Sequence, residues 1–471
     1  MLKKFKFICT IIIILGIITP FAYAGSCSYN CSNINGSNIN CITLNMKDST
    51  LKSAILNAKN EITSTEPLEK MAKNIDAIAA INGTYFEAYS GNPIPWGTII
   101  KDKKVLHVGN TGSVVGITED NKLIIDNVNI SLKGYVNGEL RAYPWRVNHP
   151  STEPEAITIF TPEYGQQVHI ENGAKAVIVT DGIITSIVDT SFTCPENGFV
   201  ISYNKGIAYL VSGRYKIGDK VEYEHEFKTN YTKPEEWSKV VNAIGAGPSL
   251  IINGIVTADG EKEGFWEAKI NTNKAARTFI GNTEDGKVLI GTIPSATLKE
   301  AAAICQSLNL INAMCLDGGG SVALYYRDKG SITQGRNVNN GIAFIKEKPK
   351  PIELSVNIDG EKVNVDNNTG KPYIDENGRT QVPIRVVMET ISADVSWDDH
   401  TKTAIIKKDG ITIEITIGEN YIKVNGNEVK NDTVAVINNN RTYLPIRIVL
   451  ESLGYSVDWD NSLKAVNINS A

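Results

Sequence analysis

The sequence predicts an α+β protein with two folded parts: a larger domain built on mixed sheets and a second, smaller α+β domain made of two repeats. Three observations support this prediction. Short β-rich runs alternate with Gly, Asn and Asp turns, helical periods are few, and a long motif recurs near the C-terminus. The larger domain is expected over residues 42–346 and the smaller over 352–471. A stiff linker at 347–351, containing Pro349 and Pro351, is expected to join them.

The composition is that of an ordinary globular protein. Hydrophobic residues make up 42% of the 471 residues and charged residues 21%, and 52 acidic against 47 basic side chains leave a net charge of −5. Such values exclude long-range disorder. A mildly acidic chain also lacks the basic surface that nucleic-acid binding requires, so no nucleic-acid partner is expected.

The N-terminus has the order of a secretory signal peptide. Three lysines precede an apolar run over residues 7–18, and Ala22-Tyr23-Ala24 supplies the small residues of a cleavage site. The alternative is a retained membrane anchor, but the run is shorter than the roughly 20 apolar residues that span a bilayer. We therefore expect residues 1–24 to be removed. The mature protein would be secreted, extracellular or associated with a cell wall, without a stable transmembrane anchor.

Six cysteines follow the expected cleavage point, and an oxidising compartment permits disulfides among them. Within residues 25–41, the spacing of the first three lacks the paired CxxC or the following histidines of a zinc module. An oxidised N-terminal loop is therefore preferred to a metal site. The connectivity stays open, because six cysteines allow fifteen pairings. The six are Cys27, Cys31, Cys41, Cys194, Cys305 and Cys315.

Individual elements can be placed along the larger domain. A helix is expected over 297–308, with Thr297 as N-cap and Glu300 completing a capping box, and it leads into a strand over 311–316. The segments 51–60 and 67–74 are also expected to be helical. Residues 281–287 resemble a phosphate-binding P-loop, but Val288 replaces the Ser/Thr that would hold magnesium, so a hairpin turn is predicted.

The C-terminal repeat begins at Arg379 and again at Arg441, 62 residues later, and each copy ends on a Trp-Asp pair. Each unit reads as a strand, a short amphipathic helix starting near Pro-Ile-Arg, and a strand pair. The matched Trp397 and Trp459 are expected to anchor the core.

Asp317 and the four residues after it form the most distinctive motif of the chain, Asp-Gly-Gly-Gly-Ser. A carboxylate at the end of a strand, followed by three residues without Cβ, predicts a turn whose amides can approach an anion closely. A glycine-rich hairpin without a ligand is the equally weighted alternative. Other candidates for binding a phosphate or a sugar hydroxyl are Asn82, His149, Gly247, Arg277, Gly318, Gly319, Gly320 and Ser321. A hydrogen-bonded structural role is the equally weighted alternative for Asn82 and His149, and a surface or structural ion pair is the alternative for Arg277.

Taken together, these motifs resemble the phosphodiester glycosidase family. The elements that carry the resemblance, in order, are Asn82–Phe86, Thr161–Gly165, Pro195–Val200, the Gly-Ala-Gly-Pro turn at 245–248, Ala276–Thr278 and Asp317–Ser321. The resemblance implies hydrolysis of a sugar-1-phosphodiester at the anomeric C–O bond, with Asp317 as the catalytic carboxyl. It also implies that Arg277 and the amides of Gly318–Ser321 surround the phosphate.

A second catalytic carboxylate is not fixed by the sequence, and Glu87 and Glu196 are candidates. No cofactor requirement is evident. The absence of HxH, HExxH and EF-hand spacings argues against a dedicated metal loop and leaves open an ion held by distant carboxylates. The substrate would be a glycopolymer of a bacterial envelope or capsule. The alternatives are a non-catalytic protein that binds glycan phosphate or the cell wall, and a phosphodiesterase that cuts the P–O bond.

The repeat region is similar to the copper amine oxidase N-terminal-like domain, a module common in secreted proteins of Gram-positive bacteria. The name implies copper, but His400 is the only histidine of the region, and one imidazole does not make a copper site. An accessory role in cell-wall attachment or self-association is therefore expected.

Overall fold

The computed structural model describes residues 26–89, 91–347, 354–365, 369–375, 378–431, 433–439, 441–460 and 463–470. The chain divides into two compact units, residues 1–348 and 349–471. The expected signal peptide and most of the expected linker lie outside the described residues. Strand accounts for 47% of the structure and helix for 14%, so the protein is dominated by β structure more strongly than the α+β prediction implied.

The first unit contains 25 described strands. They are β1 (Cys27–Ile34), β2 (Ser37–Asn45), β3 (Leu51–Asn57), β4 (Ala79–Asn82), β5 (Ile99–Lys101), β6 (Lys104–His107), β7 (Val114–Thr118), β8 (Leu123–Asp126), β9 (Asn129–Val136), β10 (Glu139–Ala142), β11 (Arg146–Val147), β12 (Ile157–Phe160), β13 (Lys175–Thr180), β14 (Ile183–Val188), β15 (Gly198–Tyr203), β16 (Val221–Lys228), β17 (Val240–Gly245), β18 (Ser249–Ile252), β19 (Ile255–Val256), β20 (Ala275–Thr283), β21 (Lys287–Ala296), β22 (Leu310–Cys315), β23 (Leu324–Tyr326), β24 (Gly330–Thr333) and β25 (Asn340–Lys346).

These strands form five sheets. A seven-stranded antiparallel sheet has the order β1-β2-β21-β20-β22-β18-β19. Two five-stranded antiparallel sheets, β24-β23-β4-β25-β3 and β6-β5-β17-β7-β8, share one apolar core with it, in which Ile42, Ile81, Ile244 and Met314 are fully buried. Because three sheets meet around this core, the ends of β4, β17 and β22 can converge. The remaining sheets are β11-β12-β15-β13-β14, with β11 and β12 parallel, and β10-β9-β16.

Helices of the first unit are short and cover sheet faces. They are α1 (Leu68–Asn74), α2 (Val211–Arg214), α3 (Pro234–Trp237), α4 (Ala268–Asn271) and α5 (Leu298–Ser307). The predicted capping box of α5 is confirmed, since Thr297 accepts from the Glu300 amide and the Glu300 carboxylate accepts from the Thr297 amide. The predicted helix over 67–74 is confirmed as α1.

The predicted helix at 51–60 is wrong. Residues 51–57 form β3, an edge strand paired along its length with β25, and only 58–60 make a single 3₁₀ turn. The polar residues Lys52 and Ser53 are adjacent, so the segment has no strict two-residue period. Pairing with β25 and burial of Leu51 and Ile55 stabilise it as a strand.

The prediction of an oxidised N-terminal loop is also wrong, because all six described cysteines are unpaired. The segment is a regular hairpin, and β2 continues across the expected domain boundary at residue 42 to pair with β21. Cys31 lies opposite Asn40, so its side chain and that of the neighbouring Cys41 project to opposite faces. Cys27 and Cys31 share a face but are four residues apart, about 13 Å along a strand, which is beyond disulfide reach.

The second unit contains two copies of a strand and helix pattern around its own core. Its helices are α6 (Ile384–Thr390) and α7 (Ile446–Ser452), which bury Val387, Met388, Val449 and Leu450. Its strands are β26 (Ser355–Ile358), β27 (Glu361–Lys362), β28 (Tyr373–Ile374), β29 (Thr380–Pro383), β30 (Asp394–Asp398), β31 (Thr403–Lys408), β32 (Ile411–Thr416), β33 (Tyr421–Val424), β34 (Asn427–Lys430), β35 (Val436–Asn438), β36 (Arg441–Pro445), β37 (Ser456–Asp460) and β38 (Ala465–Asn469).

Three sheets organise this second unit: β27-β26-β38-β37, β28-β29-β36-β35 and β30-β31-β32-β33-β34. The equivalent strands β29 and β36 pair with each other, which places the two repeats side by side. Trp397 and Trp459 are half-buried and pack against the shared core. In the described part of the whole chain, no helix combines the length and apolar character needed to cross a membrane.

Candidate active site

Asp317 is held at the end of β22 by contacts from two other segments. Its amide donates to the Gly83 carbonyl at 2.9 Å. Its carbonyl accepts from Asn82 Nδ2 and from Thr278 Oγ1, each at 2.7 Å. Asn82 also accepts from the Ala323 amide at 3.0 Å, beyond the glycine loop. Three sequence motifs that are far apart in the chain therefore fix the backbone of one carboxylate.

Asn82 is 1% exposed, and both ends of its side-chain amide are engaged. The sequence left two roles open for it, a contact with a sugar hydroxyl or phosphate and a hydrogen-bonded structural role. The structure makes it a positioning residue for Asp317, because a buried amide that already bonds two backbone groups does not face a substrate.

A different feature of the geometry favours glycine at each of the three positions after Asp317. A Cβ on Gly318 would lie 2.8 Å from the Ala276 carbonyl oxygen, and one on Gly320 would lie 2.6 Å from Arg336 Nη2. Gly319 has a φ of +57°, in the left-handed region. Residues 319–321 form a 3₁₀ turn, so the motif is more compact than a simple hairpin.

The Asp317 carboxyl is unusual in its electrostatics. Burial raises its pKa to about 7, although a hydrogen bond from Ser321, the Arg336 charge, the Gly318 amide and the Lys269 charge each act in the opposite direction. The group is therefore close to half-ionised near neutral pH, which suits a residue that takes up or releases a proton.

Tyr85 and Gly247 form the next wall of the site. The Tyr85 hydroxyl donates to the Gly247 carbonyl at 2.8 Å, and its ring packs against Phe265 with centroids 5.7 Å apart. Burial raises the pKa of Tyr85 well above its usual value, with the nearby Cys315 and Asp317 adding to the effect, so the phenol stays protonated. Gly247 has a φ of +86°, and a Cβ there would lie 2.7 Å from the Ser113 amide. Gly247 thus shapes the wall through its backbone.

Arg277 lies beside this site, but its guanidinium donates hydrogen bonds to three backbone carbonyls. The side chain is 5% exposed. Its Nε donates to the Ala296 carbonyl at 3.0 Å, and its Nη2 donates to the carbonyls of Lys269 and Asn273 at 3.1 and 3.0 Å. These contacts tie the end of β21 to α4. The geometry favours a structural role for Arg277 over the predicted binding of phosphate.

Arg336 is an exposed cation that the sequence analysis missed. Its amide donates to the Gly320 carbonyl at 2.8 Å, which brings it onto the glycine loop. Its guanidinium lies over the Tyr89 ring, with its carbon 5.1 Å from the ring centroid, and Nη2 donates to the Tyr89 hydroxyl at 3.0 Å. The only sequence signal was an arginine after Gly335 in the turn before β25. Its charge lowers the pKa of Asp317, which places it in the same electrostatic environment.

His149 lies in a separate polar pair. Its Nδ1 is 2.9 Å from His107 Nε2, and His107 Nδ1 is 2.7 Å from the Gly97 carbonyl. A carbonyl only accepts, so His107 carries its proton on Nδ1 and accepts from His149. Burial, reinforced by His149, lowers the pKa of His107 to about 3. Burial and the charge of Arg146 lower the pKa of His149 to about 4, so both rings are neutral at pH 7. None of these contacts is with the Asp317 loop.

Among the described residues, no hydrogen bond joins Asp317 to either candidate for the second catalytic carboxylate. Glu196 is exposed in the loop before β15, and Glu87 lies in the segment after β4. Glu267, which precedes α4, instead contributes to the electrostatic environment of Tyr85. Within the described ranges, no cluster of three or more His, Cys, Asp or Glu side chains could hold a metal ion.

Two family models match the chain. Phosphodiester glycosidase matches residues 172–345, and the copper amine oxidase N-terminal domain matches residues 357–468. The predicted resemblance to both families is confirmed. The first match includes Gly247, Arg277 and the whole Asp317 loop, whereas Asn82 and Tyr85 precede it. No curated protein matches the chain.

Two solved structures are similar to this chain in fold. A hypothetical protein from Synechocystis has a TM-score of 0.59 and 20% identity over 67% of this chain, and the chain covers 61% of that protein's length. A candidate exported protein from Burkholderia pseudomallei K96243 has a TM-score of 0.55 and 15% identity, covering 66% of this chain and 74% of the other. At these identities the likeness concerns the fold.

A third structure is the catalytic domain of zebrafish N-acetylglucosamine-1-phosphodiester alpha-N-acetylglucosaminidase, auto-inhibited by its pro-peptide. Its TM-score is 0.36, with 13% identity over 69% of this chain and 82% of the other.

Proposed function

We propose that this protein is a secreted hydrolase that cleaves the glycosidic C–O bond of sugar-1-phosphodiesters in envelope or capsule glycopolymers. The observation that carries the proposal is the Asp317 carboxyl, whose pKa is raised to about 7 beside the cations Arg336 and Lys269. A proton-accepting group next to positive charge fits a reaction in which a water molecule is deprotonated while a phosphate departs.

The reaction can be written with these groups. Ionised Asp317 takes a proton from water, whose oxygen bonds to the anomeric carbon. The bond between that carbon and the bridging oxygen breaks, and its electron pair leaves with the phosphate as a phosphomonoester. Arg336 and Lys269 offset the charge that develops on the phosphate. Because a phosphomonoester is a good leaving group, the reaction does not need a strong general acid.

The remaining predicted residues take supporting roles in this proposal. The Gly318 amide and the Ser321 hydroxyl bond the Asp317 carboxyl and set its direction. Asn82 and Thr278 hold the Asp317 backbone, Gly247 accepts from Tyr85, and Arg277 fastens α4, which carries Lys269. The second unit would attach the enzyme to a wall polymer.

Product analysis in water enriched in heavy oxygen tests the proposal directly. A synthetic sugar-1-phosphodiester with a small alkyl group serves as the substrate. Cleavage of the C–O bond places the label on the released sugar and leaves an unlabelled alkyl phosphomonoester. Label in the phosphate would show P–O cleavage and overturn the proposed chemistry. Saturable binding with no product would support the non-catalytic alternative.

A further inference from the structure

The second unit contains an open groove of about 690 Å³, lined mainly by the first repeat and on one side by β35 and β36. Strand β30 contributes the half-buried Trp397, and the turn after it contributes the exposed Lys402. Helix α6 contributes the exposed Arg385 and Glu389, and β36 contributes Arg441. An indole beside cationic side chains is a surface that can take a sugar ring and an anion together.

The duplicated repeat provides an internal comparison, because residue n of the first copy corresponds to residue n + 62 of the second. In the second copy, Lys464 Nζ lies 5.9 Å from the centroid of the Trp459 ring, and Arg447 Nε lies 3.9 Å from Glu451 Oε1.

The equivalent side chains of the first copy are arranged differently. Lys402 pairs with Asp399 at 2.7 Å instead of lying over Trp397. Arg385 forms no ion pair or side-chain hydrogen bond with any residue that the structure describes, although Glu389 stands one turn away. The first repeat therefore leaves an aromatic ring and a guanidinium available, whereas the second uses the corresponding groups internally.

The charge of the groove also differs from that of its surroundings. Residues 349–471 contain thirteen basic and eighteen acidic side chains, yet three cations and two anions line the groove. Lys402 pairs with Asp399, and Arg385 is a cation of the groove without an ion pair among the residues that the structure describes. Because cations are concentrated in the groove of an otherwise acidic module, an anionic ligand is attracted to the groove more than to the rest of the surface of the module.

We propose that this groove binds a phosphate-bearing glycan, with a sugar ring against Trp397 and a phosphate held by the fork of Arg385. The inference gives the proposed attachment role of the second unit a site and a ligand chemistry. It does not depend on hydrolysis by the first unit, because different residues carry it.

Binding of the full-length chain to a fluorescently labelled, glycosylated polyglycerol phosphate tests this assignment. Phosphates in this probe join polyols and not anomeric carbons, so it presents no sugar-1-phosphodiester to the Asp317 site. We expect Trp397→Ala and Arg385→Ala each to weaken binding about tenfold or more. The matched variants Trp459→Ala and Arg447→Ala should change affinity less than twofold. Unglycosylated polyglycerol phosphate and a neutral dextran of equal length should both bind more weakly than the probe.

Three results would overturn the proposal. They are absence of binding by the wild-type protein, equal losses in the two matched pairs of variants, and equal affinity for neutral dextran. Because Trp397 also packs on the core, Arg385→Ala, at an exposed position, provides the measurement that does not depend on folding. If binding fails while labelled sugar is still released from a sugar-1-phosphodiester, only the groove assignment is lost.

Discussion

A buried carboxyl with cationic neighbours concentrates the chemistry of the first unit on one residue. Replacing Asp317 by Asn keeps the shape and removes the ability to take a proton. We expect kcat/KM on a sugar-1-phosphodiester to fall about a hundredfold or more. Asp285→Asn, in the exposed β20–β21 turn, is the matched control and should retain wild-type kinetics. A folded Asp317→Asn variant with wild-type turnover would remove Asp317 from the mechanism.

The raised pKa of Asp317 also predicts the pH profile. A general base works in its ionised form, and the ionised fraction of a carboxyl with a pKa of about 7 grows as pH rises through that value. We therefore expect kcat/KM to rise about tenfold per pH unit below pH 6 and to level off above pH 8. An initial-rate series between pH 5 and 9 checks this. A profile that falls through pH 7 would mean that the protonated form is the active one.

The two arginines near the site should respond differently to replacement. Arg336→Ala should lower kcat/KM at least tenfold and leave the melting temperature within a few degrees, because Arg336 is exposed and lies on the glycine loop. Arg277→Lys should mainly destabilise the fold, by about 2 kcal/mol, because one ammonium cannot satisfy three carbonyls spread along α4 and β21. Thermal melts and kinetics on both variants separate these effects. Unchanged kinetics in Arg336→Ala would argue against its role at the phosphate.

At the scale of elements, the contact of β20 with the Asp317 backbone gives a further test. Thr278→Val removes the hydroxyl that donates to the Asp317 carbonyl while keeping the side-chain volume. A buried carbonyl that loses a donor costs about 1 kcal/mol, and a misplaced carboxyl lowers kcat more than it changes KM. Thr180→Val, at the half-buried last residue of β13, is the control. Equal kcat in both variants would show that the contacts with Asn82 and Gly83 position Asp317 without the Thr278 hydroxyl.

Local sequence signals predicted several elements because those signals are themselves local. The capping box of Thr297 and Glu300, the turn at 281–287 and the repeat helices after Pro383 and Pro445 depend on neighbouring residues. Residues 51–57 were misjudged because only pairing with β25, almost 300 residues away, decides their state.

In the candidate site too, residues that belong to a local motif could be predicted from the sequence, and residues that act through distant contacts could not. Asp317 and its glycines could be recognised from one short motif. Only the structure shows the contact of Gly318 with the Ala276 carbonyl, the positive φ of Gly319 and the approach of Gly320 to Arg336. The roles of Asn82 and Arg277 could not be read from the sequence, since their hydrogen bonds go to backbone carbonyls on other segments. Arg336 was missed because it reaches the loop through folding and has no motif of its own.

For the whole molecule, the separate cores of the two units predict independent folding. A chain ending at Glu347 keeps all 25 strands of the first unit and removes the second. It should melt cooperatively and hydrolyse a small soluble sugar-1-phosphodiester at the wild-type rate, while losing retention on cell walls. Calorimetry, kinetics and a wall-sedimentation assay provide the three readouts. A folded but inactive truncation would show that the second unit contributes to the active site.

The hydrogen bonds that Asn82 and Thr278 donate to the Asp317 carbonyl affect how active relatives of this chain can be recognised. Asn82 and Thr278 bond the Asp317 carbonyl and not its side chain, so their contribution to the fold survives any replacement of the carboxylate. Selection for stability alone would retain both residues in a descendant that had lost turnover. Family membership inferred from these two positions therefore reports common ancestry, and an inactive paralogue would be distinguished only by the identity of residue 317 and its charged neighbours.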